Sequence, residues 1–192
     1  MSCVIMGRMN RSRRLAWLMA LWLSAPAVMA GDVWIKRAWS EVIGDQVTVG
    51  ANVSYSLSDE ALEALSNGVP LTFTCFFRLL HERDYRQDEL IAKAKQRRKL
   101  TYQALSNQFS VADNLTPDRR HFQNLEDAMA YISDIRSLPL AQTNALDKQA
   151  RYVVRARAEI EIRALPSPLN VLAYFYRDWW LWSDWHTWRL KL

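Results

Sequence analysis

The chain has 192 residues, half of them hydrophobic, and carries 25 Lys and Arg against 20 Asp and Glu, a formal net charge of +5. Four arginines and no acidic residue lie in the first 30 positions, so the rest of the chain has a net charge of only +1. The positive charge is therefore concentrated at the N-terminus, and the usual inference from a basic chain to nucleic-acid binding does not apply. We expect no nucleic-acid partner.

The N-terminal segment, residues 1–30, has the organisation of a secretory signal peptide. Its arginines precede an apolar run from Leu15 to Leu23, which is followed by the small-residue stretch APAVMA. We predict a signal-peptide helix that is cleaved after Ala30, and hence an exported, periplasmic protein. The alternative is an uncleaved N-terminal anchor that attaches the protein to the outer face of the cytoplasmic membrane, although the run is short for a bilayer crossing.

Residues 31–192 are long enough for one domain with its own hydrophobic core, so stability requires neither a metal nor a disulfide. Cleavage would leave Cys75 as the only thiol, which excludes an intrachain disulfide. Because Cys75 lies within the apolar stretch LTFTCFFRLL, we predict a buried and inert side chain. We predict no cofactor.

The first predicted elements are two strands, VWIKRAWSEV and QVTVGANVSYSL, which are joined around Gly44-Asp45. Alternate residues of the second strand are apolar from Val47 to Tyr55, and this pattern predicts one buried face. A short helix is predicted to follow, with Ser58 as its capping residue.

An apolar strand from Leu71 to Leu80 comes next, and because both of its faces are apolar or threonine we predict that it is central in a sheet. The segment from His81 to Lys99 is ambiguous. Its composition favours a helix but its apolar stripe is weak, so a surface helix and an excursion between strands both remain open. A hairpin is predicted after it, with KLTYQAL and QFSVA as its strands.

A second helix is predicted from Asn124, its capping residue, to Arg136. The clearest strand is RYVVRARAEIEIR, residues 151–163, in which apolar residues alternate with charged ones. This period of two indicates one buried face and one solvated face, as in an antiparallel sheet. The stretch LPSPL then interrupts the chain before the last long strand.

The C-terminal stretch RDWWLWSDWHTW contains five of the nine tryptophans of the chain. We predict a strand, a turn at Ser183-Asp184 and a terminal strand WHTWRLKL, with one row of rings buried and the other lying over a neighbouring element. Two alternatives remain open, namely a platform for carbohydrate or a hydrophobic ligand, and an interfacial belt at lipid headgroups. The candidate interaction surface comprises Tyr174, Tyr176, Trp180, Trp182 and Trp188.

Catalytic and cofactor motifs are scarce in this sequence. With only four glycines after Ala30, the chain has no phosphate-cradling loop and no dinucleotide fingerprint. The stretch HERDY begins like a zinc-protease motif, but Tyr85 occupies the position of the second histidine. His81, His121 and His186 are far apart and have no carboxylate at ligand spacing, so we predict no metal site and no catalytic residues.

One short segment is strongly basic, and it comprises Lys93, Lys95, Arg97, Arg98 and Lys99. Such a run usually forms a solvated face, and only secondarily a contact for anionic lipid or an acidic partner. We therefore interpret these five residues as solvated.

Four stretches carry a family resemblance, and they are ALEALSNGVPLTFTCFFRL (61–79), LTYQALSNQFSV (100–111), FQNLEDAMAYISDI (122–135) and ALPSPLNVLAYFYRDWWLWSDWHTW (164–188). Together with the terminal pattern D-W-x-L-x-S-x-W, they resemble the DUF4390 family of exported bacterial proteins over nearly all of residues 31–192. The chain departs from this family after Leu79, where members often have further aromatic residues. The resemblance implies an exported, largely β domain of no known activity, and genes of the family tend to lie near a membrane sensor kinase.

These patterns predict a mainly β fold for residues 31–192, an antiparallel two-sheet sandwich of about seven or eight strands with two short helices across its ends. The expected function is that of a non-catalytic, exported binding or interaction domain whose partner is an envelope protein, with an accessory role to a sensor kinase as one candidate. If the N-terminal segment is not cleaved, we also expect it to contact the membrane surface.

Two alternatives from other functional classes are kept. The first is a lipid- or carbohydrate-binding protein, which requires Trp180, Trp182 and Trp188 to be exposed. The second is an unrecognised hydrolase, which requires His121 or His186 to meet a carboxylate and a hydroxyl in one pocket.

Overall fold

The computed structural model describes residues 32–160 and 181–191 of the chain. The strands of this part are β1 (Asp32–Ile43), β2 (Gln46–Ser56), β3 (Leu71–His81), β4 (Glu89–Gln103), β5 (Gln108–Asp113), β6 (Arg119–Phe122), β7 (Asp134–Gln142), β8 (Tyr152–Ile160) and β9 (His186–Arg189). Two helices, α1 (Asp59–Ser66) and α2 (Leu125–Ser133), and a 3-10 turn (Thr143–Ala145) complete it. The predicted signal-peptide helix lies outside the described residues. None of the described helices is long and apolar enough to span a membrane.

The strands form two antiparallel sheets, with the orders β1-β2-β7 and β6-β5-β4-β3-β8-β9. Apolar side chains from the facing surfaces of both sheets pack into one buried cluster, so the sheets form a sandwich. The predicted mainly β fold with two antiparallel sheets and two helices is therefore confirmed. β3 pairs with both β4 and β8, which confirms its predicted central position.

The second strand shows how the alternating sequence produces the buried face. Val47, Val49, Ala51 and Val53 are all buried against the larger sheet, as their period of two predicts. The other face of β2 carries Gly50, against which the ring of Trp39 packs. A Cβ atom at position 50 would lie 2.4 Å from Cζ2 of this ring, so the packing requires glycine here.

Both helices cover the same end of the sandwich. Leu65 of α1 and Ile132 of α2 are buried in a second apolar cluster, together with Phe73 and Leu100 of the larger sheet. The expectation that the helices lie across both ends is therefore wrong. The predicted caps are confirmed, because the side chains of the capping residues Ser58 and Asn124 accept backbone hydrogen bonds from α1 and α2.

The ambiguous segment after His81 forms a strand from Glu89, so the surface-helix interpretation is wrong. β4 pairs with β3 on one side and with β5 on the other. A run of good helix formers adopts an extended conformation here because its side chains alternate between the core and the solvent, and tertiary packing overrides helix propensity. The hairpin predicted between KLTYQAL and QFSVA is confirmed as β4-β5.

Alternation in β4 also separates Arg98 from the rest of the basic run. Arg98 is buried, whereas Lys93, Lys95 and Lys99 are exposed, so the interpretation of all five residues as solvated is wrong for Arg98. Its Nε donates to Asp113 Oδ2 at 2.9 Å, and both side chains of this ion pair are buried.

Arg98 also ends helix α2. Its Nη1 donates to the main-chain carbonyls of Tyr131, of Ile132 at 3.2 Å and of Asp134 at 2.8 Å, which are among the carbonyls that lack partners at a helix C-terminus. The chain turns into β7 at Asp134, so the helix predicted to extend to Arg136 ends three residues earlier, at Ser133.

Candidate functional site

The C-terminal segment runs along β8 without reversing its direction. Ser183 N donates to Ala158 O at 2.8 Å, and further along His186 pairs with Ala156. Arg157 alone therefore lies opposite two residues of the terminal segment, which is the geometry of a β-bulge. The turn predicted at Ser183 is wrong, because the chain bulges there and continues beside the same strand.

The bulge brings two indoles to one face of the sheet. Positions 182 and 185 are three residues apart, so a regular strand would place them on opposite faces. Instead, Cζ of Arg157 lies 5.5 Å from the ring centroid of Trp182 and 5.8 Å from that of Trp185. Cζ of Arg78, in the adjacent β3, lies 4.7 Å from the Trp185 ring. These cation-π contacts stabilise both indoles on the outer face.

The hydroxyl of Ser183 fixes the bulge. Its Oγ accepts a hydrogen bond from Ala158 N at 3.0 Å and donates one to the carbonyl oxygen of Asp184 at 2.9 Å. The side chain is buried, and both of its hydrogen-bonding functions are used by the backbone. Ser183 therefore has a structural role in holding Trp182 and Trp185 in place.

A groove of about 340 Å³ opens between the start of β1 and the bulge. We call it the tryptophan groove, and it is lined by Asp32, Val33, Trp34, Ile35, Trp182, Ser183, Asp184, Trp185 and His186. Its three indoles keep 44%, 49% and 38% of their surface exposed at Trp34, Trp182 and Trp185. Both sheets contribute to it, since among the described strands β1 is the outermost of one sheet and β9 is the outermost of the other.

Polar side chains surround these rings. Asp32, Asp184 and His186 are exposed and line the groove. One oxygen of Asp32 accepts a hydrogen bond from Val33 N at 2.8 Å. The groove therefore combines broad apolar faces with hydrogen-bond acceptors and an imidazole, as small-molecule and peptide sites do.

Trp188 has a different environment from these three. It is half-buried and packs against the apolar cluster between the sheets. Its Nε1 donates to Ser40 Oγ of β1 at 3.1 Å, which joins the edges of the two sheets. This contact holds the two walls of the tryptophan groove in a fixed relation.

The structure thus separates the residues of the predicted interaction surface. Trp182 lines the groove, whereas Trp188 is a packing residue. The remaining predicted members, Trp180, Tyr174 and Tyr176, lie outside the described residues. Sequence reasoning missed Trp34 and Trp185, because their convergence depends on the meeting of two sheet edges and on a bulge.

A strongly basic face lies next to the groove. We call it the basic face, and its cations are Arg78, Lys93, Lys95, Arg97, Lys99, Arg155 and Arg157. One acidic residue, Glu159, lies on the same side of the sheet, in the row of Arg97. These side chains alternate with the buried residues of β3, β4 and β8 and therefore point away from the core. Sequence reasoning identified only the β4 part of this face, since the rest depends on strand pairing.

The two histidines His186 and His81 have different surroundings. His186 shares the groove with Ser183 and Asp184. The Ser183 hydroxyl donates its hydrogen bond to the backbone carbonyl of Asp184 and not to the imidazole, so the two side chains do not form a nucleophile–base pair. His81 packs against Tyr152 with ring centroids 5.4 Å apart. Within residues 32–160 and 181–191, no group of three or more His, Cys, Asp or Glu is placed to hold a metal ion.

Two buried ionisable groups show how the core controls charge. Burial raises the pKa of the Cys75 thiol to about 12, which agrees with the prediction of a buried cysteine. Burial also disfavours ionisation of Asp113. Hydrogen bonds from Arg98, from the backbone of Leu115 and from Gln96 outweigh that effect and hold the pKa of Asp113 below its usual value.

Comparison with protein families identifies the family of this chain. The model of the DUF4390 family, a domain of unknown function, matches residues 31–189. The chain belongs to the DUF4390 family. The family resemblance found in the sequence is therefore confirmed. No curated protein and no solved structure matches the chain.

Proposed function

We propose that this DUF4390 domain is an exported, non-catalytic binding domain whose contact site is the tryptophan groove. The single observation that carries the proposal is the convergence of Trp34, Trp182 and Trp185, each more than a third exposed, on one groove between two sheet edges. Aromatic side chains are common at the energetic centre of protein interfaces. Single exposed apolar residues are normal on a protein surface, but three exposed indoles that converge on one groove indicate a binding site.

The free energy available from covering the three indoles supports a binding role. Covering the exposed parts of the three indoles would remove on the order of 250 Å² of largely apolar surface, worth about 6 kcal/mol. This is comparable to the lower estimates of the cost of association, so polar contacts must add to it. Asp32, Asp184 and His186 are placed to make those contacts.

The proposed partner is a protein of the cell envelope, with an accessory role to a membrane sensor kinase as the specific hypothesis. The support is the organisation of residues 1–30, which is typical of an export signal, and the genomic tendency of the family. We propose a periplasmic location after cleavage at Ala30, or attachment to the outer face of the cytoplasmic membrane if the segment is retained. Mass determination of the protein recovered from the envelope distinguishes the two.

Site-specific photocrosslinking in intact cells tests the proposal. A photoreactive phenylalanine analogue replaces Trp185 in one variant and the exposed Arg136, on β7 of the other sheet, in the control. We expect a discrete protein adduct from position 185 that is lost when Trp34→Ala is added, and no such adduct from position 136. Equal labelling at both positions, or none at 185, would contradict the proposal.

A second candidate function is carbohydrate binding in the same groove. The observation that favours it is the combination of three exposed indoles with two carboxylates, because flat rings can stack on sugar rings while carboxylates accept hydrogen bonds from hydroxyls. Titration of tryptophan fluorescence with cell-wall oligosaccharides tests it. A saturable change in the wild type that Trp182→Ala removes would support this candidate, and the absence of any change would exclude it.

A further inference from the structure

The basic face is a second surface, and its lysines have no role in the contact proposed for the tryptophan groove. In the register of the larger sheet, Arg78 of β3 lies directly opposite Lys93 of β4 on one side and Arg155 of β8 on the other. Three cations therefore form one row across three strands. In the next row, Lys95 and Arg157 lie opposite the same residue of β3.

Like charges directly opposite each other destabilise a sheet. Part of this cost is relieved inside the domain, since Arg155 forms an ion pair with Asp88 at 2.9 Å and Arg78 lies over the ring of Trp185. Within the part of the chain that the structure describes, Lys93 and Lys95 are exposed and form no ion pair. An external anion would relieve the repulsion that remains between these cations among the described residues.

The shape of the face favours a broad anionic surface over a compact ligand. From Lys93 to Lys99 the exposed lysines follow one strand for roughly 20 Å, and the arginines extend the positive charge over the two adjacent strands. No single position on this face is close to all of the cations. A phosphate-sized ligand would engage only one row.

Three of the four exposed cations on this face are lysines, namely Lys93, Lys95 and Lys99, and this favours lipid over protein. Lysine is depleted in the buried parts of protein interfaces, where arginine and aromatic residues are enriched. Attraction to an anionic membrane surface needs no fixed geometry and is supplied by long, flexible lysines. Trp182 and Trp185 lie at the β8 side of the face, and exposed indoles next to cations are typical of residues at lipid headgroups.

We propose that the basic face docks this domain on an anionic lipid surface, with Lys93, Lys95 and Lys99 near the phosphate groups and the bulge with its two indoles at the edge of the contact. The docking is peripheral, because it uses one face of a folded sheet. It goes beyond the partner of the tryptophan groove and does not depend on the identity of that partner. It also orients the groove beside the bilayer.

Vesicle sedimentation of the full chain tests the proposal. The probes are phosphatidylcholine vesicles with and without about one-third phosphatidylglycerol, and the neutral vesicles measure any contribution of the apolar N-terminal segment. The test variant is Lys93→Gln/Lys95→Gln. The charge-matched control is Lys36→Gln/Lys148→Gln, which removes two exposed lysines located in β1 and in the loop before β8.

The expected result is binding to the anionic vesicles that exceeds binding to the neutral ones, and that falls as salt is raised from about 0.1 M towards 1 M. The test variant should bind about 30-fold more weakly, and the control should bind as the wild type does. Equal binding to both kinds of vesicle, or an equal loss in the two variants, overturns the proposal. Retention on a soluble polyanion such as heparin without binding to anionic vesicles also overturns it.

Discussion

The inner and outer faces of the six-stranded sheet contain the same kinds of residue in opposite roles. On the inner face, Arg98 neutralises a buried carboxylate and ends a helix, and Trp188 packs into the core. On the outer face, Lys99 is exposed and Trp185 lies at the rim of a groove. Residue type alone therefore does not reveal function. The face on which a residue lies decides whether it stabilises the domain or is available to a ligand.

The largest effect that tests this comparison is expected at Arg98. Replacing it with alanine leaves Asp113 buried without its cation and the last carbonyls of α2 without a donor, which should cost about 3–5 kcal/mol of unfolding free energy. The neighbouring Lys99→Ala should change that free energy by no more than about 0.5 kcal/mol. Chemical denaturation measures both variants. Similar losses would show that the two faces of β4 are not distinct.

A somewhat smaller effect is expected at Trp188. The half-buried indole contributes to the core and donates a hydrogen bond to Ser40, so Trp188→Ala should cost about 2–3 kcal/mol. Trp188→Phe keeps most of the packing and should cost about 1 kcal/mol. Thermal and chemical unfolding of the two variants provide the measurement. A neutral Trp188→Ala would mean that this ring does not join the sheets.

Acid sensitivity should depend on Asp113. Because hydrogen bonds depress the folded-state pKa of this carboxyl, its contribution to stability is complete above the unfolded-state pKa of about 3.9 and is lost as the pH falls through the folded-state pKa. Asp113→Asn should cost about 1–3 kcal/mol at neutral pH and should reduce the slope of stability against pH below about 4. Unchanged acid sensitivity in this variant would exclude Asp113 as its source.

The smallest effects on stability are expected in the groove. Trp182→Ala and Trp185→Ala remove rings that are 49% and 38% exposed and that lie against arginine side chains, so each should cost about 1 kcal/mol. Loss of the photocrosslink from position 185 when Trp182→Ala is added, at an unchanged unfolding midpoint, would separate ligand contact from folding. A large loss of stability would instead place these rings with Trp188 as packing residues.

Much of the fold follows from the sequence because simple periodicity determines it. The alternation of apolar and polar residues predicted the strands β2 and β8. The capping residues Ser58 and Asn124 predicted the starts of the two helices. Both signals are local in the sequence. β4 was ambiguous because its residues favour helix when taken singly. The strict alternation of Lys93, Lys95, Arg97 and Lys99 with inward residues was the signal that could have identified it as a strand.

The candidate site was less predictable, for physical reasons. Whether Trp182 and Trp185 share a face depends on one extra residue in a bulge, and nothing in the local sequence pattern fixes its position. Trp34 is far away in sequence and reaches the groove only because β1 and β9 are the neighbouring edges of two sheets. The composition of the groove therefore depends on long-range strand order, which the local patterns of a single sequence do not reveal.

The most direct test of the account is the accessibility of its indoles to quenchers in solution. Fluorescence quenching by iodide, with neutral acrylamide as a check on local charge, compares the wild type with Trp34→Phe/Trp182→Phe/Trp185→Phe and with Trp188→Phe. We predict that the triple variant loses much of the quenchable emission and that Trp188→Phe retains it. If the triple variant is quenched as the wild type is, the tryptophan groove is not an open site and the proposed function fails.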